Sequence, residues 1–284
     1  MVRELGKVCV SLDGFLSIAS KLANVFSRLL AMKSLGIFFL GLVFFLICLA
    51  WFIPPVHQFS QGTVKVDRWR KSQGKVEELV GPNTKGWVQL EKVSFHAVHA
   101  ILVSEDARFY EHFGLDYKEI WISFLTNMEH GRFIRGASTI TQQLVKMAFL
   151  SRDKTLVRKL REMFGAIILE LLMSKEEILE WYINLVELGH GVYGINEGAS
   201  HYFQTSSELL TIAQGVHLAL VLPSPNRWSK GLRRRKLTKF GCKRFSLILT
   251  KMLSAGYITD SQWERAMATG NFGSPVGLES IYSF

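Results

Sequence analysis

The sequence is short of cysteine. It has three in 284 residues, too few for a disulfide framework. Cys48 lies in an apolar run, with Cys9 before it and Cys242 far after it. If that run spans a membrane, Cys9 and Cys242 stand on opposite sides and cannot pair. No His and Cys spacing matches a zinc site. The strand–helix alternation of a parallel sheet is missing, and so is any internal repeat or low-complexity tract. With 48% hydrophobic residues the chain is too apolar for a disordered protein, and with 20% charged residues it is too polar for a multi-span membrane protein. What it does have is positive charge, a formal +10. That calls for an anionic partner: nucleic acid, an acidic lipid surface or a phosphorylated substrate.

One uncharged run, residues 35–53, is long enough as a helix to cross a ~30 Å hydrocarbon core. Trp51 stands at one end as an interfacial aromatic, and Pro54-Pro55 stop the helix. The run is too long and starts too late for a cleaved signal peptide, so it reads as a retained anchor. Lys and Arg flank both of its ends, so the positive-inside rule votes weakly. A short N-terminus that stays in the cytoplasm exports everything after Pro55. Residues 1–34 form the cytoplasmic N-terminus. Leu12, Phe15, Leu16, Ala19, Leu22, Val25, Phe26 and Leu29 recur there at helical spacing. They suit either an amphipathic helix on the inner leaflet or a continuation of the span.

Residues 54–92 read as a stem with a small β element, from the β-prone pieces Thr63–Val66 and Trp87–Leu90. Residues 93–284 read as a mainly α-helical domain. Phe95, Val98, Leu102, Glu105 and Phe109 share one helix face, and Ile140, Leu144 and Ala148 another. Leu156, Leu160, Met163, Ile167 and Leu171 form a third stripe. Ser174-Lys-Glu-Glu177 predicts a capping box for a helix stopping at Gly189, and Thr205-Ser-Ser-Glu208 one for a helix ending before Pro223. Residues 238–253 predict one more helix.

Three motifs carry chemistry. Glu105-Asp106 closes an apolar helix, with His112 and Gly114 just beyond; a carboxylate at such a rim can be raised in pKa and serve as a general acid or base. Ordinary charges at a solvated terminus are the plain alternative. Arg135-Gly-Ala-Ser138-Thr-Ile-Thr-Gln-Gln-Leu-Val-Lys146 opens a helix whose N-terminal N–H groups favour an anion. Thr139, Gln142, Gln143 and Lys146 share one face there. They could hold a sugar or phosphate, or simply be an N-cap with a solvated face. Lys154, Arg158, Lys159 and Glu162 make either an i,i+4 helix salt bridge or a cationic clamp for pyrophosphate.

These motifs stand in order with two more: Ile178-Leu-Glu-Trp-Tyr-Ile-Asn184 followed by Gly189-x-Gly-Val-Tyr-Gly194 and Tyr202-Phe203, then Leu218-Ala-Leu-Val-Leu-Pro-Ser-Pro-Asn226. Over residues 80–230 the chain resembles the peptidoglycan glycosyltransferases, in particular the monofunctional, membrane-anchored ones. The resemblance implies a lysozyme-like, mainly α-helical fold behind a single N-terminal transmembrane helix. It implies polymerisation of lipid II into glycan strands, with undecaprenyl pyrophosphate leaving and the anomeric centre inverting. By position, Glu105 matches the family's general base, and Asp106 and His112 its structural neighbours. Ser138, Thr139, Gln142, Gln143 and Lys146 match the substrate-holding motif, and Lys154, Arg158 and Lys159 the cations near the pyrophosphate. Glu162 matches the second acidic residue, with two roles open: orienting a cation or helping a metal-bound phosphate. No cofactor is fixed, a divalent cation such as Mg being the one candidate auxiliary at the pyrophosphate. The implied partners are lipid II, the growing lipid-linked strand, membrane lipids and other wall-synthesis proteins, with no nucleic acid. The implied location is the bacterial cytoplasmic (inner) membrane, single-pass, with the catalytic domain outside.

Trp121, Ile122, Phe124, Leu125, Phe133 and Ile134 fall where the family has a membrane-dipping lobe; core packing is the other reading. Arg233-Arg-Arg-Lys236, Lys239, Lys243 and Arg244 suit anionic headgroups or a solvated basic face. Two positions depart from the family pattern: Met147 replaces the usual Asn, and Glu197-Gly198 stands where small, Ala-rich packing is expected. Ser151-Arg-Asp-Lys154 spells a transpeptidase Ser-x-x-Lys but lacks a Lys-Thr-Gly partner, so the chain reads as monofunctional. Two rivals remain, a lysozyme-like glycan-cleaving enzyme and a degenerate membrane scaffold.

Overall fold

The structure, a computed structural model, describes residue 21 and residues 36–47, 50–70, 72–151 and 153–270. The chain divides into two units, Met1–Ile53 and Pro54–Phe284. In the first, residues 36–47 and 50–52 are helical, with Phe38, Phe44, Ile47 and Trp51 exposed. Leu35, Cys48 and Leu49 of the apolar run lie outside the described residues, as does the amphipathic stretch expected over residues 12–29, Lys21 apart. Among the described residues no helix is long and apolar enough to cross a membrane.

The second unit is mainly helical. It opens with a short helix, His57–Ser60, and an antiparallel hairpin, β1 (Val64–Arg70) and β2 (Gly74–Val80). Strand period two sends Val64, Val66 and Arg68 inward and Lys65 and Asp67 outward. Val56, Phe59, Val64, Val66 and Val80 join the same hydrophobic core as the helices, so the stretch read as a stem is packed into the domain. The second β-prone piece is no strand. Residues 87–90 run into a 3-10 turn, Leu90–Lys92, and side chains hold their backbone. Asn184 accepts from Val88 N–H and donates to Val88 O, and Glu180 accepts from Leu90 N–H and from Trp87 Nε1.

The helices follow as α1 (Phe95–Glu105), α2 (Tyr117–Glu129), α3 (Ile140–Phe149), α4 (Leu156–Leu172) and α5 (Lys175–Leu185). A small ladder, β3 (Glu187–Gly189) and β4 (Val192–Tyr193), leads to α6 (Ile195–Phe203), α7 (Ile212–Val221), α8 (Pro225–Arg233), α9 (Lys239–Ser254) and α10 (Asp260–Gly270). The core centres on α1 against α7, flanked by α9, and on α3 against α4 and α5.

Several boundaries differ from the sequence expectation. Phe109 is buried but lies in a separate 3-10 turn after α1 ends at Glu105. The Ser174–Glu177 capping box forms, but α5 stops at Leu185 and Gly189 ends β3 instead. Residues 205–208 do not cap α7. Thr211 and Gln214 form that box, while Ser207 N–H is taken by the Asn196 side chain. Two neighbouring hydroxyl-x-x-acid/amide patterns compete there, and the one abutting the apolar run wins. Residues 238–253 fold as expected, with Thr238 capping α9.

The largest difference is α4. Its apolar stripe is turned largely to solvent: Leu156 is 77% exposed, Leu171 70% and Leu160 40%, while Met163 and Ile167 are half-buried. The buried face carries Glu162, Gly165, Ala166 and Leu169. Small residues allow the close approach of α3, since a Cβ on Gly165 would lie 2.8 Å from Val145 Cγ1. Likewise Trp121, Ile122, Phe124, Leu125, Phe133 and Ile134 are all exposed, which removes the core reading for them. Asn127 ties the loop after α2 down, accepting from Ile134 and Arg135 N–H and donating to Arg135 O.

The two departures from the family pattern have structural partners. Glu197 pairs with Arg70 of β1 at 3.1 Å, and Arg70 also holds Glu78. Gly198 admits Leu188, whose Cδ1 a Cβ would meet at 2.5 Å. Met147 packs against the hydrophobic core.

Candidate active site

Asp106 links the first motif to the second. Its carboxylate accepts from Ile140 N–H, at the start of α3, at 2.9 Å, and lies 3.0 and 3.1 Å from His112 Nε2. An acid at a helix N-terminus satisfies an orphan donor and the helix dipole together. Gly114 completes the join. Its carbonyl accepts from Thr139 Oγ1 at 2.6 Å. Its φ is +69°, and a Cβ there would lie 2.9 Å from Ala166 O. Gly114→Ala is therefore expected to destabilise the fold. The left-handed backbone alone costs about 1–2 kcal/mol, and the contact with α4 adds to it. A denaturant midpoint unchanged from wild type would count against this reading.

Thr139 and Gln142 turn out to be the capping box of α3. Thr139 Oγ1 accepts from Gln142 N–H, and Gln142 Oε1 accepts from Thr139 N–H at 3.0 Å. Both are buried, so the pair caps the helix, but from a buried face and not the solvated one. Gln143, one residue on, faces the other way: its Nε2 donates to Glu105 Oε2 at 3.1 Å, and its Oε1 accepts from Tyr182 Oη at 3.1 Å.

Glu105 stands at the C-terminus of α1. Burial pushes its carboxyl above the ordinary range, against the pull of Gln143, Arg244, Ser104 and Lys146. Ser104 Oγ lies 3.2 Å from Oε1 and Arg244 4.0 Å. The expected basic surface segment does not include Arg244, which points inward and lies over Trp228 at 5.3 Å. No local pattern marks it, because only the packing of α9 on α1 brings it to Glu105.

Glu162 is 2% exposed. Both its oxygens are engaged: Oε2 accepts from Arg158 at 2.7 Å, and Oε1 accepts from Lys159. Lys159 also donates to Ser138 Oγ at 2.8 Å. Lys146, from α3, completes the group. Desolvation lowers its pKa, Glu162 and Glu105 favour its charge, and Lys159 and Arg158 oppose it. Three cations around one buried carboxylate leave an excess of positive charge. Lys154 stands exposed before α4. The structure thus gathers Glu105, Gln143, Lys146, Arg158, Lys159, Ser138 and Glu162, with Asp106, His112, Thr139 and Gln142 as their frame.

Among the described residues two places bear on a metal. Ligand atoms of Asp106, His112 and Asp116 lie within 4.8 Å of one another. Asp106 is committed to Ile140 and His112, while Asp116 caps α2 and pairs with Arg108. Glu162 has both oxygens on cations. In the first set, Asp116 Oδ2 and His112 Nδ1 are buried without a hydrogen-bond partner.

The likeness to known proteins follows the same residues. A family model described as Transglycosylase matches residues 73–253. The biosynthetic peptidoglycan transglycosylase of Nitrosospira multiformis is 40% identical over 188 residues, covering 64% of this chain and 80% of that protein. That of Paraburkholderia xenovorans is 38% identical over 200 residues, covering 66% and 81%. The penicillin-binding protein 1A of Aquifex aeolicus is 32% identical over 262 residues, which is 89% of this chain but 35% of that longer protein. A match running from β2 into α9, through every element that builds the cluster, places this chain in the transglycosylase family.

Proposed function

We propose that the chain is a peptidoglycan glycosyltransferase that polymerises lipid II into linear glycan strands, releasing undecaprenyl pyrophosphate, without transpeptidase activity. One observation carries the reading: a desolvated carboxylate, Glu105, lies in the same electrostatic group as the cations Lys146, Arg158 and Lys159. A sugar hydroxyl is a poor nucleophile, so a base must take its proton as it attacks. Glu105 takes the proton of the acceptor's GlcNAc 4-hydroxyl. The new bond forms at the anomeric carbon of the lipid-linked strand, the bond to phosphate breaks, and the centre inverts. Charge grows on the departing pyrophosphate, where preorganised cations in a partly dry site stabilise it most. Glu162 serves by orienting Arg158 and Lys159, the first of the two roles left open for it. With its oxygens already taken it does not suit the second, and no step here runs through a divalent cation.

Thr139 and Gln142 act on substrate indirectly, by fixing the start of α3; Ser138 does so through Lys159, and Asp106 and His112 hold the frame. Lys154 meets the substrate from the exposed rim. The fold is lysozyme-like, and residues 35–53 anchor it in the bacterial cytoplasmic membrane with the catalytic unit outside. The exposed apolar residues 121–134 support membrane contact, because a lipid-linked substrate leaves the bilayer only at ~0.8 kcal/mol per CH₂. Lipid II and the growing strand are the partners, with other wall-synthesis proteins and no nucleic acid. A glycan-cleaving enzyme needs no cationic clamp, which disfavours that rival.

Purified full-length chain given labelled lipid II is expected to yield glycan polymer. Fragmentation of preformed glycan would favour the cleaving enzyme, and no product at all would favour the scaffold.

A further inference from the structure

We infer that Tyr182 is a positioning residue for the base: its buried hydroxyl fixes the Gln143 amide so that the amide donates to Glu105. This rests on the reading of Glu105 given above. The three residues come from three helices, α5, α3 and α1, and join in one hydrogen-bond chain, Tyr182 Oη to Gln143 Oε1 at 3.1 Å and Gln143 Nε2 to Glu105 Oε2 at 3.1 Å. Tyr182 is wholly buried, and a buried phenol needs a partner.

A glutamine amide has two faces, and only one suits a carboxylate. Turned over, Gln143 would set its oxygen against Glu105 and leave the Tyr182 proton without that acceptor. The hydroxyl therefore selects the productive face. Burial, with Glu105 and Asp106 nearby, pushes the phenol's pKa well above its ordinary value, so it stays a donor while the site works. The amide in turn favours the ionised form of Glu105, the form that accepts a proton. The charged groups facing that carboxylate are Lys146 of α3 and Arg244 and Lys251 of α9. All three act directly on Glu105, whereas Tyr182 works through an amide.

The test is steady-state polymerisation of labelled lipid II by the full-length protein across pH. Tyr182→Phe removes one oxygen and keeps the ring. Expected are a kcat lower by about tenfold, the worth of one well-placed hydrogen bond, and a KM within about twofold. The acid limb of kcat/KM should move upward, because a Glu105 that loses its donor holds its proton more tightly. Gln143→Leu should move the limb the same way, and the double variant should go no further than Gln143→Leu alone. A wild-type kcat and acid limb in Tyr182→Phe, or additive effects of the two substitutions, would overturn the inference. If Tyr182→Phe loses its melting transition, Gln143→Leu carries the same readout, and an unmoved limb there overturns it equally. Glu105→Gln in the same assay separates the two levels. Near wild-type turnover in it sinks the base itself, whereas an inactive Glu105→Gln beside an unaltered Tyr182→Phe sinks only the role of Tyr182.

Discussion

Glu105→Gln is expected to lower polymerisation by roughly 10²- to 10⁴-fold, the usual loss for one general base, while the fold is kept. The amide fills the same space but cannot take the hydroxyl proton. Stability should hold or rise slightly, and the sign follows from the burial of the group. Glu105 has a folded-state pKa above its ordinary value near 4.5 because desolvation disfavours its charge. The folded state therefore holds the proton more tightly than the unfolded chain. Its contribution to stability is greatest below the unfolded value and is lost as pH rises through the folded one. At neutral pH the ionised side chain is thus a small burden, which glutamine removes. In the wild-type enzyme the acid limb of kcat/KM should accordingly lie above 4.5. Turnover of Glu105→Gln within a few-fold of wild type would take Glu105 out of the mechanism.

The cations should show the other large effect. Lys146→Met is expected to reduce kcat by about 10²- to 10³-fold, comparable to the removal of one donor aimed at developing negative charge. Its effect on lipid II binding should be smaller, because charge on the pyrophosphate grows as the bond breaks. Arg158→Lys should also be harmful. Its guanidinium donates through Nε to Asp153 O at 2.5 Å and through Nη1 to Glu162 at 2.7 Å, a fork that lysine cannot reproduce. Because Lys146 and Arg158 share Glu162, and in this reading one leaving group, a double-mutant cycle read by polymerisation rate should give a coupling of about 0.5–3 kcal/mol. Strict additivity would return Arg158 to a purely structural pairing with Glu162.

How the site is divided between sequence and structure can be followed residue by residue. Local spacing alone put Glu105 at the end of an apolar helix, the Ser174 box at a helix start and Thr238 before α9, because caps and periodicity act over only three or four residues. The order of the motifs made the family legible, and with it Lys146, Arg158, Lys159 and Glu162 as a group. Sequence offered an N-cap reading for Thr139 and Gln142 but could not decide it, nor say that their neighbour Gln143 reaches Glu105. A one-residue step turns a side chain by about 100° on a helix, and only the position of α1 decides which of the three meets the base. Nor could it turn the apolar stripe of α4 outward, since periodicity shows that a helix has two faces but not which one the core takes. Here the core takes Gly165 and Ala166, because they let α3 come close, and it takes the charged Glu162 because two cations accompany it. Arg244 and Tyr182 are the clearest cases. Each lies far along the chain from Glu105, in a segment whose own pattern speaks of a basic surface or an apolar helix face. Their place beside the carboxylate exists only once α9 and α5 have packed.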